Sequence, residues 1–67
     1  MIRNTIGTRR CLMHITQREF GEKFGVSAAA VSAWEIGRTE PGVAAIKKMC
    51  KIFNCSFDEL FYEEDDT

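Results

Sequence analysis

An all-α fold of five helices is predicted from three features of this sequence. Two capping-box signatures mark helix starts, glycine or asparagine stands where helices must stop, and no stretch alternates apolar and polar residues as a half-buried strand does. The chain has 67 residues, 45% of them hydrophobic and only one a proline. That length and composition describe one small folded domain with a limited core. The domain is expected over residues 1–62, followed by an acidic, solvated tail at 63–67.

The first helix is expected from about Thr5 to Met13, with Asn4 offering an N-cap. Ile6, Arg10 and Met13 fall on one stripe at i, i+4 and i+7, so an arginine interrupts an apolar face and needs a partner. The second helix opens on Thr16-Gln17-Arg18-Glu19, a capping box in which Thr16 accepts from a first-turn amide and Glu19 reaches back. Phe20 and Phe24 follow as its buried stripe, and Gly25 stops it. Only Val26 separates Gly25 from the next cap, Ser27, so the second and third helices must cross steeply. Gly21 leaves room for that crossing.

The third helix ends at Gly37, and residues 37–42 (GRTEPG) form a loop. A fourth helix over Val43 to Phe53 is expected to turn Val43, Ile46, Met49, Cys50 and Phe53 inward and Lys47, Lys48 and Lys51 outward. Asn54 suits the left-handed position after it. Ser56-Phe57-Asp58-Glu59 is the second capping box, opening a short fifth helix that buries Phe57, Leu60 and Phe61.

Composition excludes several classes. No apolar run approaches the ~20 residues that span a bilayer, and the N-terminal arginines precede no signal-peptide core, so a cytoplasmic location is expected. The three cysteines are an odd number without metal-type pairs, which points to small, mostly buried hydrophobes rather than a disulfide framework or a metal site. A single histidine and the lack of a recognisable acid–base arrangement argue against an enzyme. No cofactor or small-molecule ligand is indicated. The net charge of −1 conceals an asymmetry: residues 1–39 carry six basic against three acidic side chains, and residues 40–67 carry three basic against seven acidic. The basic half suits a phosphate-bearing partner.

On the third helix, Val31 and Trp34 share one side, which must be core. The opposite side carries Ala28, Ala29, Ser32 and Ala33. Such a bare face suits two uses, packing against another helix or entering the DNA major groove, where alanine meets thymine methyl groups and serine meets several bases. Thr16 and Gln17 at the start of the second helix offer amides and a side-chain donor for phosphate. Arg38 and Thr39 stand ready on the far side of the same groove.

The run ITQREFGEKFGVSAAAVSAWEIGRTEP, continuing into VAAIKKMCKIFNCSFDELF, resembles the Cro and phage-repressor type of helix-turn-helix regulator. The likeness extends from about Ile6 to Phe61 and rests on the Thr16-Gln17 start, Gly21, the Gly25-Val26-Ser27 turn, Trp34-Glu35 and Gly37-Arg38 at the family's spacing. It implies a lambda-repressor-like five-helix domain that binds double-stranded DNA, acting as a homodimer on paired half-sites. Gln17 then matches a phosphate-anchoring glutamine, and Ser27, Ala28, Ala29, Ser32 and Ala33 match base-facing positions. Arg10 and Glu35 match an ion pair between the first and third helices, which would partner the stripe arginine. The alanines, His14 in the turn, Gly7 in the first helix and Gly42 at the fourth N-cap depart from the family's usual residues. A protein-interaction module on the same fold, such as an antitoxin or a partner of another regulator, is the alternative. Leu12, Phe61 and Tyr62 are apolar candidates for a dimer contact.

Overall fold

The computed structural model describes residues 2–65. Five helices are present: α1 (Ile6–Leu12), α2 (Gln17–Glu22), α3 (Ala28–Glu35), α4 (Val43–Phe53) and α5 (Phe57–Leu60). They enclose one core of Ile6, Phe20, Val31, Trp34, Met49 and Leu60. The buried residues come from every helix because no single apolar stripe in a chain this short can close a core alone. A line of aromatic rings runs through it. Phe53 stacks on Phe20 at 5.5 Å, Phe20 lies 4.9 Å from Phe24, and Phe24 meets Trp34 edge-on at 5.8 Å. These contacts tie α4 to α2, and the turn after α2 to α3, in geometries that aromatic quadrupoles favour.

Three helices end by one device. After α2, the Val26 amide donates to the Gly21 carbonyl and the Gly25 amide to Glu22, with Gly25 at φ +69°. After α3, Arg38 donates to Ala33 and Gly37 to Trp34, with Gly37 at φ +79°. After α4, Cys55 donates to Cys50 and Asn54 to Lys51, with Asn54 at φ 53°. This paired closure satisfies carbonyls that a helix end would otherwise leave open, and it requires a residue tolerant of left-handed backbone. His14 takes φ 59° in the turn from α1 to α2 without being a glycine.

The structure adds a feature that the sequence pattern does not show. Strand β1 (Ile2–Asn4) pairs antiparallel with strand β2 (Phe61–Glu63), in the register Ile2 to Glu63, Arg3 to Tyr62 and Asn4 to Phe61. Three-residue strands are too short to alternate visibly. The ribbon carries the chain order of residues expected in the tail, since Glu63 is within β2 and Glu64 pairs with Arg3. Asp66 and Thr67 lie outside the described residues.

Several burial expectations change. Val43 and Phe57, expected to face inward, are 71% and 56% exposed; each is the first residue of its helix, α4 and α5, and the core contacts begin further along. Phe61 is half-buried in β2 rather than in the fifth helix. Met13 is more exposed than its stripe suggests, since α1 ends at Leu12. Cys11 is exposed, while Cys50 and Cys55 are half-buried and the Cys55 thiol is pushed above its ordinary pKa by burial. Among the described residues no helix is long and apolar enough to cross a membrane.

Candidate nucleic-acid interface

The α2–α3 corner is set by a backbone contact. A methyl group built on Gly21 would lie 2.5 Å from the Val26 carbonyl oxygen, so any side chain there would push the two helices apart. Glycine at this position is therefore a condition of the corner rather than a tolerance. The Thr16 hydroxyl accepts from the Glu19 amide at 3.0 Å, and the Glu19 carboxylate accepts from the Thr16 amide at 2.9 Å. Hydrogen bonds to the carboxylate from the Thr16 backbone amide and then its side chain hold the Glu19 carboxyl below its ordinary pKa. They also engage the Thr16 amide, so the open amides at this end begin with Gln17.

α3 is held from behind and from both ends. Val31 is fully buried and Trp34 nearly so, while the Ser27 hydroxyl caps the helix by accepting from the Ala30 amide at 3.2 Å. At the far end the Asn4 side-chain amide donates to the Trp34 carbonyl at 2.8 Å, and its oxygen accepts from the Ile6 amide at 3.1 Å. Asn4 thus caps α1 one residue earlier than the N-cap position, where the Thr5 hydroxyl makes no cap bond and instead donates to the Glu59 carbonyl at 3.1 Å. One side chain fastens the ribbon, α1 and the end of α3 together.

Glu35 is the electrostatic centre of the corner. Its carboxylate accepts from Arg10 Nε at 2.6 Å and Nη2 at 3.4 Å, and from Gln17 Nε2 at 3.0 Å. Arg10 also donates to the Ile15 carbonyl at 2.8 Å. The Arg10 and Glu35 side chains are only 14% and 12% exposed, so each charge depends on the other for solvation. The Glu35 hydrogen bond raises the guanidinium pKa further, against the lowering that burial brings. Gly7 explains its place in α1 here: a methyl group on it would lie 3.2 Å from the Glu35 carboxylate oxygen.

The residues singled out for DNA contact fall into two groups. Ser27 and Ala29 are exposed, and Ala28, Ser32 and Ala33 are half-buried on the outer side of α3. Thr16, Arg38 and Thr39 are exposed at its two margins, and Gln17 is half-buried with its amide on Glu35. The Gln17–Glu35 bond is a link that sequence spacing could not show, since the two residues are 18 apart in the chain. Lys48 is a second: its ammonium reaches the Lys23 carbonyl at the end of α2 and lies 5.2 Å from the Phe24 ring.

Comparison with known proteins places the chain in a family. A helix-turn-helix family model matches residues 6–60, nearly the whole described chain. An uncharacterized HTH-type transcriptional regulator of Methanocaldococcus jannaschii is 31% identical over 65 residues, covering 97% of this chain and 98% of its own. The transcriptional activator BcrR of Enterococcus faecalis is 35% identical over 52 residues, which span 78% of this chain and 26% of that protein. A crystal structure of a Bacteroides fragilis protein, provisionally described as DNA-binding, superposes with a TM-score of 0.77 at 22% identity over 92% of this chain. The chain belongs to the Cro and phage-repressor type of helix-turn-helix transcriptional regulators, a DNA-binding rather than an enzymatic family.

Proposed function

We propose that the protein is a sequence-specific transcriptional regulator of the repressor kind that inserts α3 into the DNA major groove. The observation that carries this reading is the two-sided character of α3. Val31 and Trp34 lock one side into the core, while Ser27 and Ala29 leave the other open to solvent beside an exposed Arg38. A helix fixed from behind and bare in front can approach base edges closely. Ser27, Ala28, Ala29, Ser32 and Ala33 would face the bases. Only the two serines carry side-chain hydrogen-bonding groups there, and the Ser27 oxygen already caps the helix. Direct readout is therefore sparse, and thymine methyl contacts and DNA shape supply the remaining discrimination.

Thr16, Gln17, Arg38 and Thr39 would grip phosphates on the two flanks. Gln17 arrives oriented, because the Glu35 carboxylate takes one of its amide protons and leaves the other free for a phosphate oxygen. A single module of this size covers too few base pairs for high specificity, so the protein would act as a homodimer on two half-sites.

The test is selection of bound duplexes from a random DNA pool, followed by a salt titration on the selected sequence. The expected result is an enriched two-half-site motif and a linear fall of log K with log salt, with a slope of several units. Ala29→Glu should abolish binding, while Gln17→Ala and Arg38→Ala should weaken it on all sequences alike. No enrichment, or binding by Ala29→Glu equal to the parent, would favour the protein-interaction module instead.

A further inference from the structure

The paired closures that end α2, α3 and α4 each bond two residues five apart: Val26 to Gly21, Arg38 to Ala33, and Cys55 to Cys50. Only the closure after α4 sets thiol against thiol. The Cys55 amide donates to the Cys50 carbonyl at 3.0 Å. Ordinary bond lengths then hold the two Cα atoms within about 7 Å of each other, the separation below which a disulfide needs no backbone movement. In such a closure the side chains of the two bonded residues characteristically meet. The Cys50 thiol is in fact close enough to act on the Cys55 thiol.

The two sulfurs differ in access. Both cysteines are half-buried against the core. Cys50 also lines a hollow along α4, with Lys47 and Lys51 at its border, so a small molecule can reach its sulfur. Burial raises the Cys55 thiol pKa, which suits it to act second. Cys11 is exposed on α1 and lines a different hollow.

We infer that Cys50 and Cys55 are a redox pair, closed reversibly into a disulfide by exchange with a small-molecule disulfide of the glutathione type. The Cys50 thiolate attacks one sulfur of that molecule, whose other half leaves as a thiolate and takes up the proton that Cys50 gave up. Cys55 then loses its proton and attacks the Cys50 sulfur, and the second small thiolate leaves and takes that proton. The chain loses two hydrogens, and one small disulfide becomes two thiols. The new bond fastens the last turn of α4 to the residue that precedes the Ser56 cap of α5, so the stability of the domain responds to thiol oxidants. Neither cysteine belongs to α2 or α3, and the inference stands apart from the DNA reading.

Incubation of the whole chain with oxidised glutathione, followed by an acid quench and trypsin, tests it. Trypsin cuts after Lys48 and Lys51, which leaves Cys50 in the peptide 49–51 and Cys55 in the peptide that begins at Ile52. The expected product is these two peptides joined, from an intact chain lighter by two hydrogens and restored by dithiothreitol. Cys11→Ser should change nothing, and Cys55→Ser should stop at a mixed disulfide on Cys50. In denaturing urea all three cysteine pairings should appear, and the equilibrium constant for Cys50–Cys55 closure should fall at least tenfold. The oxidised folded chain should melt about 5 °C or more above the reduced one, which is the same preference read from the other side. A native parent chain that accumulates mixed disulfides without the joined peptides overturns the inference. A closure constant no higher in the folded chain than in urea, or an oxidised chain that melts no higher, overturns it as well.

Discussion

The α2–α3 corner and the α4–α5 face are built with the same local devices and end in opposite states. Each has a capping box, Thr16 with Glu19 in one and Ser56 with Glu59 in the other. Each has a left-handed stop, Gly25 in one and Asn54 in the other. The corner nevertheless buries its apolar residues, whereas the α4–α5 face leaves Val43 and Phe57 in solvent. The difference lies in what crosses over them. The corner is closed by a backbone contact between Gly21 of α2 and the turn at Val26, and by a charge cluster at Glu35 that joins α1, α2 and α3. No third helix covers the α4–α5 face among the described residues, and its apolar residues are available to another molecule.

The comparison can be broken most severely at Gly21. Gly21→Ala should destabilise the fold by about 3 kcal/mol, because the new methyl meets a backbone carbonyl that cannot rotate away. In a domain this small that is a fall of about 15 °C in Tm, measured by thermal denaturation. An unchanged Tm would mean that the corner relaxes freely. Arg10→Ala comes next, at about 2 to 3 kcal/mol, since it strands a largely buried carboxylate. The same variant should loosen Gln17 by leaving Glu35 without its stronger partner, seen as altered relaxation of the Gln17 side-chain amide in NMR.

Thr16→Ala and Ser56→Ala sharpen the comparison further. Each removes an N-cap bond and should lower stability by about 1 kcal/mol in chemical denaturation. Near-equal losses would show that the caps do equal service on the buried and the open side. The smallest effect is on pH. Backbone hydrogen bonds from Thr16 and Ser56 hold Glu19 and Glu59 below their ordinary pKa. A carboxylate with a depressed folded pKa stabilises the fold above its unfolded value of about 4.3, and that contribution is lost as the pH falls through the folded pKa. Thermal melts should therefore decline modestly below about pH 4, and less so in the two cap variants.

The Ser27-to-Glu35 helix shows how far the residues alone carry the argument. Its start at Ser27, its stop at Gly37 and its two-sidedness around Val31 and Trp34 are legible, because caps, left-handed stops and the 3.6-residue period act within a few residues. The need for a small residue at Gly21 is legible for the same reason, since the turn is only a few residues away. The Arg10–Glu35 pair was accessible through family likeness, not from spacing.

What the sequence determined by itself is thus the set of helices, the caps that open α2, α3 and α5, the left-handed stops after α2, α3 and α4, and which side of α3 meets the core. Tertiary structure alone decided the rest. It brought Gln17 onto Glu35, placed Gly7 against the same carboxylate, joined Ile2–Asn4 to Phe61–Glu63 as a ribbon, and left Val43 and Phe57 outside the core. Each of these depends on residues far apart in the chain. Periodicity states which residues can share a face, and only the packed fold states whether anything covers it.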